Sequence, residues 1–594
     1  MAGFSNRPSN YPFLQKLRLA KKASLKPCSY LKPTTQLRDY QVIGVLHFLS
    51  LSRMILGDGV GLGKTLQMIT AFVYRLTSEP NLKLLVVTPK SAMAQWAEEF
   101  EKFCSGITTH VLTNDYGEVR YKDKSGKIQS KEEYGKIEDL KAAGKKCRTI
   151  SGFEARKAQY TTVDAHVLIV NYHAVQEDYT FLAENRGPVF QIAFDEAQEF
   201  KNMKTKTWFG ASELSSKAKY CYGMSATIIK NRLEEAYYIY RVIVPGLFPG
   251  KIKFFSEYTV RKKITRWDKG RKRYFNKVVG YKNLTQFKDT IDPFFLLRRT
   301  RDVASELPHL ISRKLVLEMS EAQKQLYRKA LSGELYQRLI KEKYFKFEEY
   351  ANSKIEDLTD KESKMYELLK IKYEESLTKE GMAKNKIASL SYCQLVSNGP
   401  GWLNEDGESS KETEFRRLFD QELSGEKVIV YTRFKSGIKR LSAILNDLGL
   451  KHIRITGDED ISERTNARKL FQDMDQDYNI IFITQAGSAA INLQAAGVIL
   501  YYDTPWSYGD LYQSIGRAQR IGSIQEHILL LHMINRGTID EHVLGILEGK
   551  KDLISQIVGD IAQGAIDFKN DDVLFQEDES SVNALYNSVF SKVV

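Results

Sequence analysis

The chain has few cysteines, few prolines and no long apolar run, and these absences narrow its class. Its 594 residues include 5 cysteines and 13 prolines. The cysteines stand far apart, without a CxxC pair or histidines at zinc-ligand spacing. This spacing argues against a disulfide-rich protein and against a zinc-binding module, and it favours a reducing compartment. No segment reaches the roughly 18 apolar residues of a membrane span, and the N-terminus lacks a signal-peptide core. We therefore expect a soluble intracellular protein.

Apolar surface is abundant enough for several cores. Hydrophobic residues make up 42% of the chain, and the length is roughly four times the ~150 residues of a typical domain, which predicts more than one domain. Lysine and arginine outnumber aspartate and glutamate by 88 to 74, a net charge of +14. Where such an excess is clustered, it favours a polyanionic partner such as nucleic acid.

Short β-branched or aromatic runs that end in polar residues predict buried parallel strands in two successive α/β domains. In the first domain, residues 37–310, the predicted strands are Arg53–Leu56, Leu84–Thr88, Val167–Asn171 and Phe190–Phe194. In the second, residues 426–550, they are Val428–Tyr431, His452–Ile455, Ile480–Ile483, Val498–Tyr502 and Ile528–Leu531.

Residues 311–425 connect the two predicted domains. Within them, 321–386 is rich in Glu, Lys, Leu and Tyr and has no proline, which predicts long charged helices, either protruding from the body or forming a solvated linker. Residues 1–36 are interpreted as an N-terminal extension, and 551–594 as a C-terminal helix with an acidic tail.

Two basic insertions interrupt the first domain. Residues 117–157 carry 12 Lys and Arg against 7 Asp and Glu, whereas 251–282 carry 12 against 2. Asp268-Lys269-Gly270 predicts a hairpin turn in the second insertion. Either this basic prong binds DNA phosphates, or it is a solvated hairpin whose aromatic residues pack on the domain. The first interpretation assigns phosphate contacts to Arg261, Lys262, Lys263, Arg271, Lys272 and Arg273.

A glycine-rich loop follows the first predicted strand and precedes an apolar-periodic helix, the context that a phosphate-binding loop requires. Lys64 is expected on the β- and γ-phosphates of ATP, and Thr65 on Mg²⁺. The other predicted nucleotide contacts in the loop are Asp58, Gly59, Gly61 and Gly63. Asp58 stands where the strict GxxxxGK[ST] spacing has glycine, so the bare pattern is not met and the assignment depends on the strand-loop-helix context.

Asp195 and Glu196 follow a predicted buried strand, at the edge where open α/β sheets bind ligands. There, Asp195 can hold Mg²⁺ and Glu196 can orient and deprotonate the attacking water. Taken alone, an Asp-Glu pair is more typical of a solvated turn or helix cap. The position downstream of the loop lysine favours the catalytic interpretation.

In the second domain, Gln513 opens a segment that places Arg517 and Arg520 three residues apart, which predicts one helix face. Arginine stabilises the negative charge that spreads over the γ-phosphate during phosphoryl transfer. Taken alone, the same pair is typical of surface salt bridges.

Together these segments occur in the order of superfamily 2 helicase-like ATPases, and the set resembles the SWI/SNF type. The motifs that carry the resemblance are Leu37–Gln41, Asp58–Thr65, Val87–Ser91, Asp195–Asn202, Gly223–Thr227, Phe295–Thr300, Asn492–Ala496, Tyr502–Trp506 and Gln513–Arg520. The resemblance covers residues 37 to about 551. It implies two RecA-like (P-loop NTPase) parallel-sheet domains in tandem with a helical protrusion between them.

The resemblance also implies roles for residues outside the phosphate loop. Gln41 is expected to recognise adenine, since a carboxamide can pair with its N6/N7 edge. Ser225 and Thr227 are expected to couple the nucleotide site to the second domain. The residues expected on the nucleic-acid backbone are Thr88, Lys90, Arg433 and Thr484. Gln198 and Gly59 depart from the family's usual histidine and glutamate and mark a divergent member.

The function implied is a DNA-dependent ATPase that uses ATP and Mg²⁺ to move along, or remodel, double-stranded DNA or DNA-protein complexes. Two alternatives stay open. One is a strand-separating superfamily 2 helicase that acts on DNA, including branched DNA, or on RNA. The other is a non-hydrolysing nucleic-acid-binding scaffold, against which the intact catalytic residues argue. We expect a monomeric motor without a membrane partner, in the cytoplasm of a bacterium or virus-infected cell, or in a eukaryotic nucleus.

Overall fold

The computed structural model describes residues 8–122, 128–185, 190–225, 228, 233–268, 271–298, 303, 307–353, 360–376, 386–459, 461–484, 491–520, 522–545 and 547. The chain divides into two compact units, one of residues 1–307 with 489–491 and the other of residues 308–488 with 492–594. Each unit contains one large sheet whose strands all run parallel, which confirms the predicted fold class. Among the described residues, no helix combines the length and apolar character needed to cross a bilayer.

The first unit is built on a seven-stranded parallel sheet. The strands of this unit are β1 Arg53–Leu56, β2 Lys83–Thr88, β3 Thr109–Val111, β4 Asp115–Lys122, β5 Ile128–Gly135, β6 Cys147–Ser151, β7 Val167–Asn171, β8 Phe190–Asp195, β9 Tyr220–Met224, β10 Thr259–Asp268, β11 Arg271–Tyr281 and β12 Phe295–Leu296. The order in the large sheet is β12-β1-β9-β8-β2-β7-β3. The central strands are buried almost throughout. Four strands of this sheet, β1, β2, β7 and β8, were predicted from their apolar runs. The other three, β3, β9 and β12, were not predicted.

Helices connect these strands. They span Tyr11–Leu19, Asp39–Ser50, Lys64–Ser78, Met93–Phe103, Ile137–Ala142, Gly152–Thr162, Tyr172–Asn185, Lys206–Lys217, Leu233–Ile243, Lys251–Tyr258 and Leu284–Ile291. The first of them belongs to the predicted N-terminal extension and packs on this unit. Its Arg18 donates hydrogen bonds to the carboxylate of Asp292 at 2.6 Å and to the carbonyl of Phe295 at 2.8 Å.

Both basic insertions are folded. The first contains a small antiparallel sheet in the order β5-β4-β6. The second contains the predicted hairpin, in which β10 and β11 pair from Thr259 with Tyr281 to Asp268 with Arg271. Lys269 and Gly270, and the side chains of residues 271–273, lie outside the described residues.

The second unit has a six-stranded parallel sheet. Its strands are β13 His309–Leu317, β14 Val428–Tyr431, β15 His452–Ile455, β16 Ile480–Ile483, β17 Val498–Tyr501 and β18 His527–Asn535. Their order in the sheet is β13-β18-β17-β14-β16-β15. Five of these strands were predicted, with β18 longer than expected. β13 was not predicted: it is an edge strand, mostly exposed and without a continuous apolar run.

The helices of this unit span Glu321–Ser332, Glu334–Ser353, Asp360–Ser376, Lys386–Asn398, Ser410–Arg417, Lys435–Asp447, Ile461–Gln472 and Tyr508–Ala518. The described residues of the stretch 321–386 are therefore helical, as predicted, except Gly333. Its first and last helices share an apolar core, in which Tyr327 and Leu390 pack with Ile539 and Val543. These helices are packed onto the second unit.

A buried ion pair joins the helix Ser410–Arg417 to the segment that follows β18. Lys411 Nζ lies 2.7 Å from Asp540 Oδ2, and neither side chain is more than 1% exposed. The ammonium also donates to the carbonyl of Tyr502 at 2.9 Å, and Ser397 Oγ donates to Asp540. Without these partners, the buried charge of Lys411 or Asp540 would be poorly solvated, and the fold would be less stable.

The prediction that follows is that Lys411→Met lowers the free energy of unfolding by about 3–5 kcal/mol, because Asp540 is left buried without a cation. Urea titrations of the full chain measure this change. Exposed Lys439 is the control, since its replacement by Met should change stability by no more than about 0.5 kcal/mol. Equal losses in the two variants would contradict the assignment.

Candidate functional site

The register of the first sheet brings the predicted catalytic segments to one edge. Leu56 of β1 pairs with Met224 of β9, which pairs with Asp195 of β8. Because these strands are parallel, the residues that follow them leave the sheet side by side. Three segments therefore start at the same edge of the sheet: the phosphate loop after Leu56, the segment that begins with Ser225, and the segment that begins with Glu196.

The glycine-rich loop has the backbone that its sequence predicts. Gly61 and Gly63 have φ angles of 84° and 69°, in the left-handed region where glycine is favoured. Gly63 directly precedes the helix Lys64–Ser78, so the first N–H groups of that helix point toward the loop. Lys64 Nζ donates to the carbonyls of Asp58 at 2.9 Å and Gly59 at 3.2 Å. A polyphosphate is the kind of ligand that can replace these acceptors.

Gln41 lies against this loop. Its Nε2 donates to the carbonyl of Leu62 at 3.3 Å, and its Oε1 accepts from the N–H of Arg38 at 3.0 Å. The approach is close, since a Cβ added at Gly63 would lie 2.5 Å from Gln41 Nε2. The side-chain amide of Gln41, which is predicted to contact adenine, therefore lies next to the phosphate loop.

Asp195 is positioned by two donors that reach the same carboxylate oxygen. Thr88 Oγ1 donates to Oδ2 at 3.0 Å and Trp96 Nε1 at 2.9 Å. Burial raises the pKa of Asp195 and the charge of Glu196 adds to this, whereas the two hydrogen bonds and the charge of Lys64 lower it. No described residue donates a hydrogen bond to Oδ1, so the carboxylate fits its predicted role as a Mg²⁺ ligand.

Glu196 is held by a chain of two hydrogen bonds that the sequence does not show. Gln198 Nε2 donates to Glu196 Oε2 at 2.5 Å, and the hydroxyl of Ser225 donates to Gln198 Oε1. Glu196 has a φ of 54°, a left-handed conformation that is uncommon for a residue with a side chain. Gln198, noted only as a departure from the family, therefore links Glu196 to the predicted coupling residue.

Two of the residues predicted to contact nucleic acid, Thr88 and Thr484, have buried side chains, and their contacts stay predictions. Thr88 is fully buried, and its hydroxyl serves Asp195. Thr484 is also buried, and its hydroxyl donates to the carbonyl of Thr456 at 2.7 Å. Thr88 ends β2 and Thr484 directly follows β16, both at the expected edge, but their side chains face the interior. Lys90, by contrast, is exposed at the start of a short helical turn.

The side chain of Asp58, a predicted nucleotide contact, also faces the interior. Its carboxylate is fully buried and accepts hydrogen bonds from Gln67 and Arg298 inside the unit, so only the backbone of Asp58 remains for a nucleotide. The N–H of Gly59 likewise donates to the carbonyl of Arg298 at 3.0 Å. Thr65 lies half-buried in the first turn of the helix.

In the second unit, Arg433 has a fixed position at the end of β14. Its Nη1 donates to Gln394 Oε1 at 2.6 Å, and its guanidinium lies 4.5 Å from the ring centre of Trp506. Its N–H donates to Asp503, a buried carboxylate whose pKa is raised by that burial. The arginine is half-buried and keeps part of its surface open to solvent.

The arginines predicted to share one helix face do not. The helix Tyr508–Ala518 contains Gln513 and Arg517 but ends before Arg520. Arg517 is 4% exposed, whereas Arg520 is half-buried and donates to the carbonyl of Gly516 at 2.8 Å and to Asn492. Thr227, the second predicted coupling residue, lies outside the described residues.

Comparison with known families gives two matches in succession along the chain. The model described as "SNF2-related domain" matches residues 40–380, and the model described as "Helicase conserved C-terminal domain" matches residues 410–522. Together they span the loop, the Asp195–Glu196 edge and the arginine segment.

Curated relatives match over most of this chain. The ATP-dependent helicase FUN30 of Saccharomyces cerevisiae is 25% identical over 92% of the chain and 49% of its own length. The chromodomain-helicase-DNA-binding protein 1-like of Mus musculus is 26% identical, over 88% and 50%. An uncharacterized ATP-dependent helicase of Mycoplasma pneumoniae is 23% identical, over 88% and 42%. The chain spans about half the length of these relatives.

One solved structure that matches is the SWI2/SNF2 ATPase core of Sulfolobus solfataricus in complex with dsDNA. It is 22% identical, covers 91% of this chain and 96% of its own, and superposes with a TM-score of 0.35.

The prediction from this geometry concerns Thr88. Thr88→Val removes a hydrogen bond that lowers the pKa of Asp195, so that pKa should rise further. In its predicted role as a Mg²⁺ ligand, Asp195 has to be ionised, so the acidic limb of kcat/KM for ATP hydrolysis is expected to move to higher pH. Thr70→Val is the control: it is equally buried, but its hydroxyl donates within its own helix. An unshifted limb in Thr88→Val would contradict the role.

Proposed function

Since this chain belongs to the family of SNF2-related domains, we propose that it is an ATP-driven motor that moves along, or remodels, double-stranded DNA or DNA-protein complexes. The observation that carries the proposal is the single sheet edge where the phosphate loop, Asp195 and Glu196 emerge side by side. Parallel α/β sheets bind ligands at that edge.

At this edge, each proposed step has a group that suits it. Lys64 and the helix N-terminus bind the negative phosphates of ATP. Thr65 and Asp195 would hold Mg²⁺, which neutralises phosphate charge when it is bound. Glu196, oriented by Gln198, accepts a proton from the attacking water. Gln41 supports the preference for adenine.

Residues of the second unit have proposed roles in the same cycle. Arg517 and Arg520 would stabilise transition-state charge, and Gln513 would assist them, as the family resemblance implies. Ser225 and Thr227 would couple hydrolysis to motion. The hydrogen bond from Ser225 to Gln198 supports this proposal, since it links Ser225 to the residue that holds Glu196.

Positive side chains available to solvent support a nucleic-acid partner. Lys90 is exposed beside the catalytic edge, and Arg433 is half-buried at the corresponding edge of the second sheet. On the hairpin, Arg261, Lys262 and Lys263 are all exposed on β10. Contacts of this kind hold phosphates without reading sequence, which suits a motor that steps along the duplex.

Glu196→Gln tests the hydrolytic assignment. The amide keeps the shape but cannot accept the proton, so turnover should fall about 100-fold or more while ATP affinity stays within about threefold. Steady-state phosphate release and nucleotide binding measure the two effects. Glu199→Gln, an exposed glutamate of the same turn, should keep wild-type turnover. Normal turnover in Glu196→Gln would refute the role as base.

Replacing Arg261, Lys262 and Lys263 together by serine tests the hairpin. For each side chain that binds a phosphate in the wild type, its removal should make the slope of log affinity against log salt shallower by about 0.9, because fewer counterions are released. Duplex DNA titrated at several salt concentrations measures the slope. A control triple variant changes exposed Lys341, Lys343 and Lys346 of the second unit. An unchanged slope in the hairpin variant would favour a solvated hairpin.

A further inference from the structure

The last strand of the first sheet continues along the phosphate loop. β12 pairs with β1, and beyond the paired residues the N–H of Gly57 donates to the carbonyl of Leu296 at 2.7 Å. The N–H of Gly59 then donates to the carbonyl of Arg298 at 3.0 Å. The first half of the loop is thus held along its backbone by residues 296–298, which lie about 240 positions later in the chain.

The side chain of Arg298 connects three further segments. Its Nε donates to Asp58 Oδ1 at 2.8 Å, and its Nη2 donates to the second oxygen of that carboxylate and to Gln67 Oε1 at 2.7 Å. Its Nη1 donates to the carbonyl of Tyr40. The ion pair is buried, with 11% of Arg298 and none of Asp58 exposed. One guanidinium therefore joins the phosphate loop, the helix after it and the helix that carries Gln41.

Packing around this guanidinium is close. A Cβ added at Gly44 would lie 1.8 Å from Gln67 Oε1 and 2.8 Å from Arg298 Nη2, so a side chain there would displace both groups. A Cβ at Gly57 would lie 2.4 Å from a ring carbon of Phe295. Glycine therefore lets the helix Asp39–Ser50 approach the side chains of Gln67 and Arg298, and lets the loop approach Phe295.

We propose that Arg298 is a positioning residue of the nucleotide site, which fixes the distance between Gln41 and the phosphate loop. The carboxylate of Asp58 is held by Arg298, and its carbonyl is one of the two acceptors on Lys64 that a polyphosphate can replace. Without Arg298, a buried carboxylate is left without its cation and the loop without the ion pair that orients it. The inference rests on the proposed ATP site, and it adds that nucleotide affinity and the preference for adenine depend on a residue that does not touch the nucleotide.

The chain offers a matched control in the same unit. Arg156 and Asp178 form a second buried pair, with Arg156 8% exposed and Asp178 fully buried, and their atoms approach to 2.5 Å and 2.9 Å. This pair joins the helices Gly152–Thr162 and Tyr172–Asn185, which carry none of the proposed nucleotide contacts. Arg156→Gln and Arg298→Gln each remove the guanidinium from a buried ion pair with an aspartate.

The test measures displacement of a fluorescent ATP analogue by ATP and by GTP, with Mg²⁺, on the full chain. Arg298→Gln should raise the dissociation constant of ATP at least tenfold and lower the ratio of ATP to GTP affinity, whereas Arg156→Gln should change both by less than threefold. Both variants should melt at a lower temperature. Gly44→Ala, which removes no charge, should also weaken ATP binding, and Arg298→Lys should lie between wild type and Arg298→Gln.

Two results would overturn the proposal. One is an ATP affinity in Arg298→Gln and Gly44→Ala within threefold of wild type. The other is an equal loss of affinity in Arg156→Gln, which would assign the effect to general destabilisation. If wild type itself binds no nucleotide, the proposed ATP site fails, and that result is distinct from both.

Discussion

The parallel pairing of β1, β9, β8 and β2 is the constraint on which the proposed chemistry depends. A parallel pair places the carboxyl ends of its strands at one edge, and the register Leu56–Met224–Asp195 aligns these ends to the same position. Segments that are far apart in the sequence therefore leave the sheet together. The backbone hydrogen bonds between the strands, and not any single loop, position the residues of the site relative to one another.

Buried polar partners then set the orientation of each group at that edge. Asp195 is oriented by Thr88 and Trp96, and Asp58 by Arg298. A charge or polar group removed from water costs free energy unless it is hydrogen-bonded, so these partners have to be present for the edge to be stable. The same partners restrict the conformations of the loop, which lowers the cost of ordering it when a phosphate binds.

The sequence predicted most of the buried strands, although not β9, and few of the side-chain partners, for physical reasons. Val428–Tyr431 matches its prediction because a strand buried on both faces is a short apolar run. β13 was missed because an exposed edge strand has no such run. Motif order placed Thr88 at the functional edge but gave no information about the direction of its side chain. Arg298 and Trp96 were missed as partners because they lie 240 and 99 residues from the carboxylates they serve.

The most direct test of the account is the rate of ATP hydrolysis by the full chain with no nucleic acid, single-stranded DNA, duplex DNA, branched DNA and RNA. A motor that tracks along duplex DNA should hydrolyse slowly alone and be stimulated most by duplex DNA, with stimulation that falls as salt rises because the contacts are to phosphates. Hydrolysis that is absent throughout, or equal in every condition, would contradict the account.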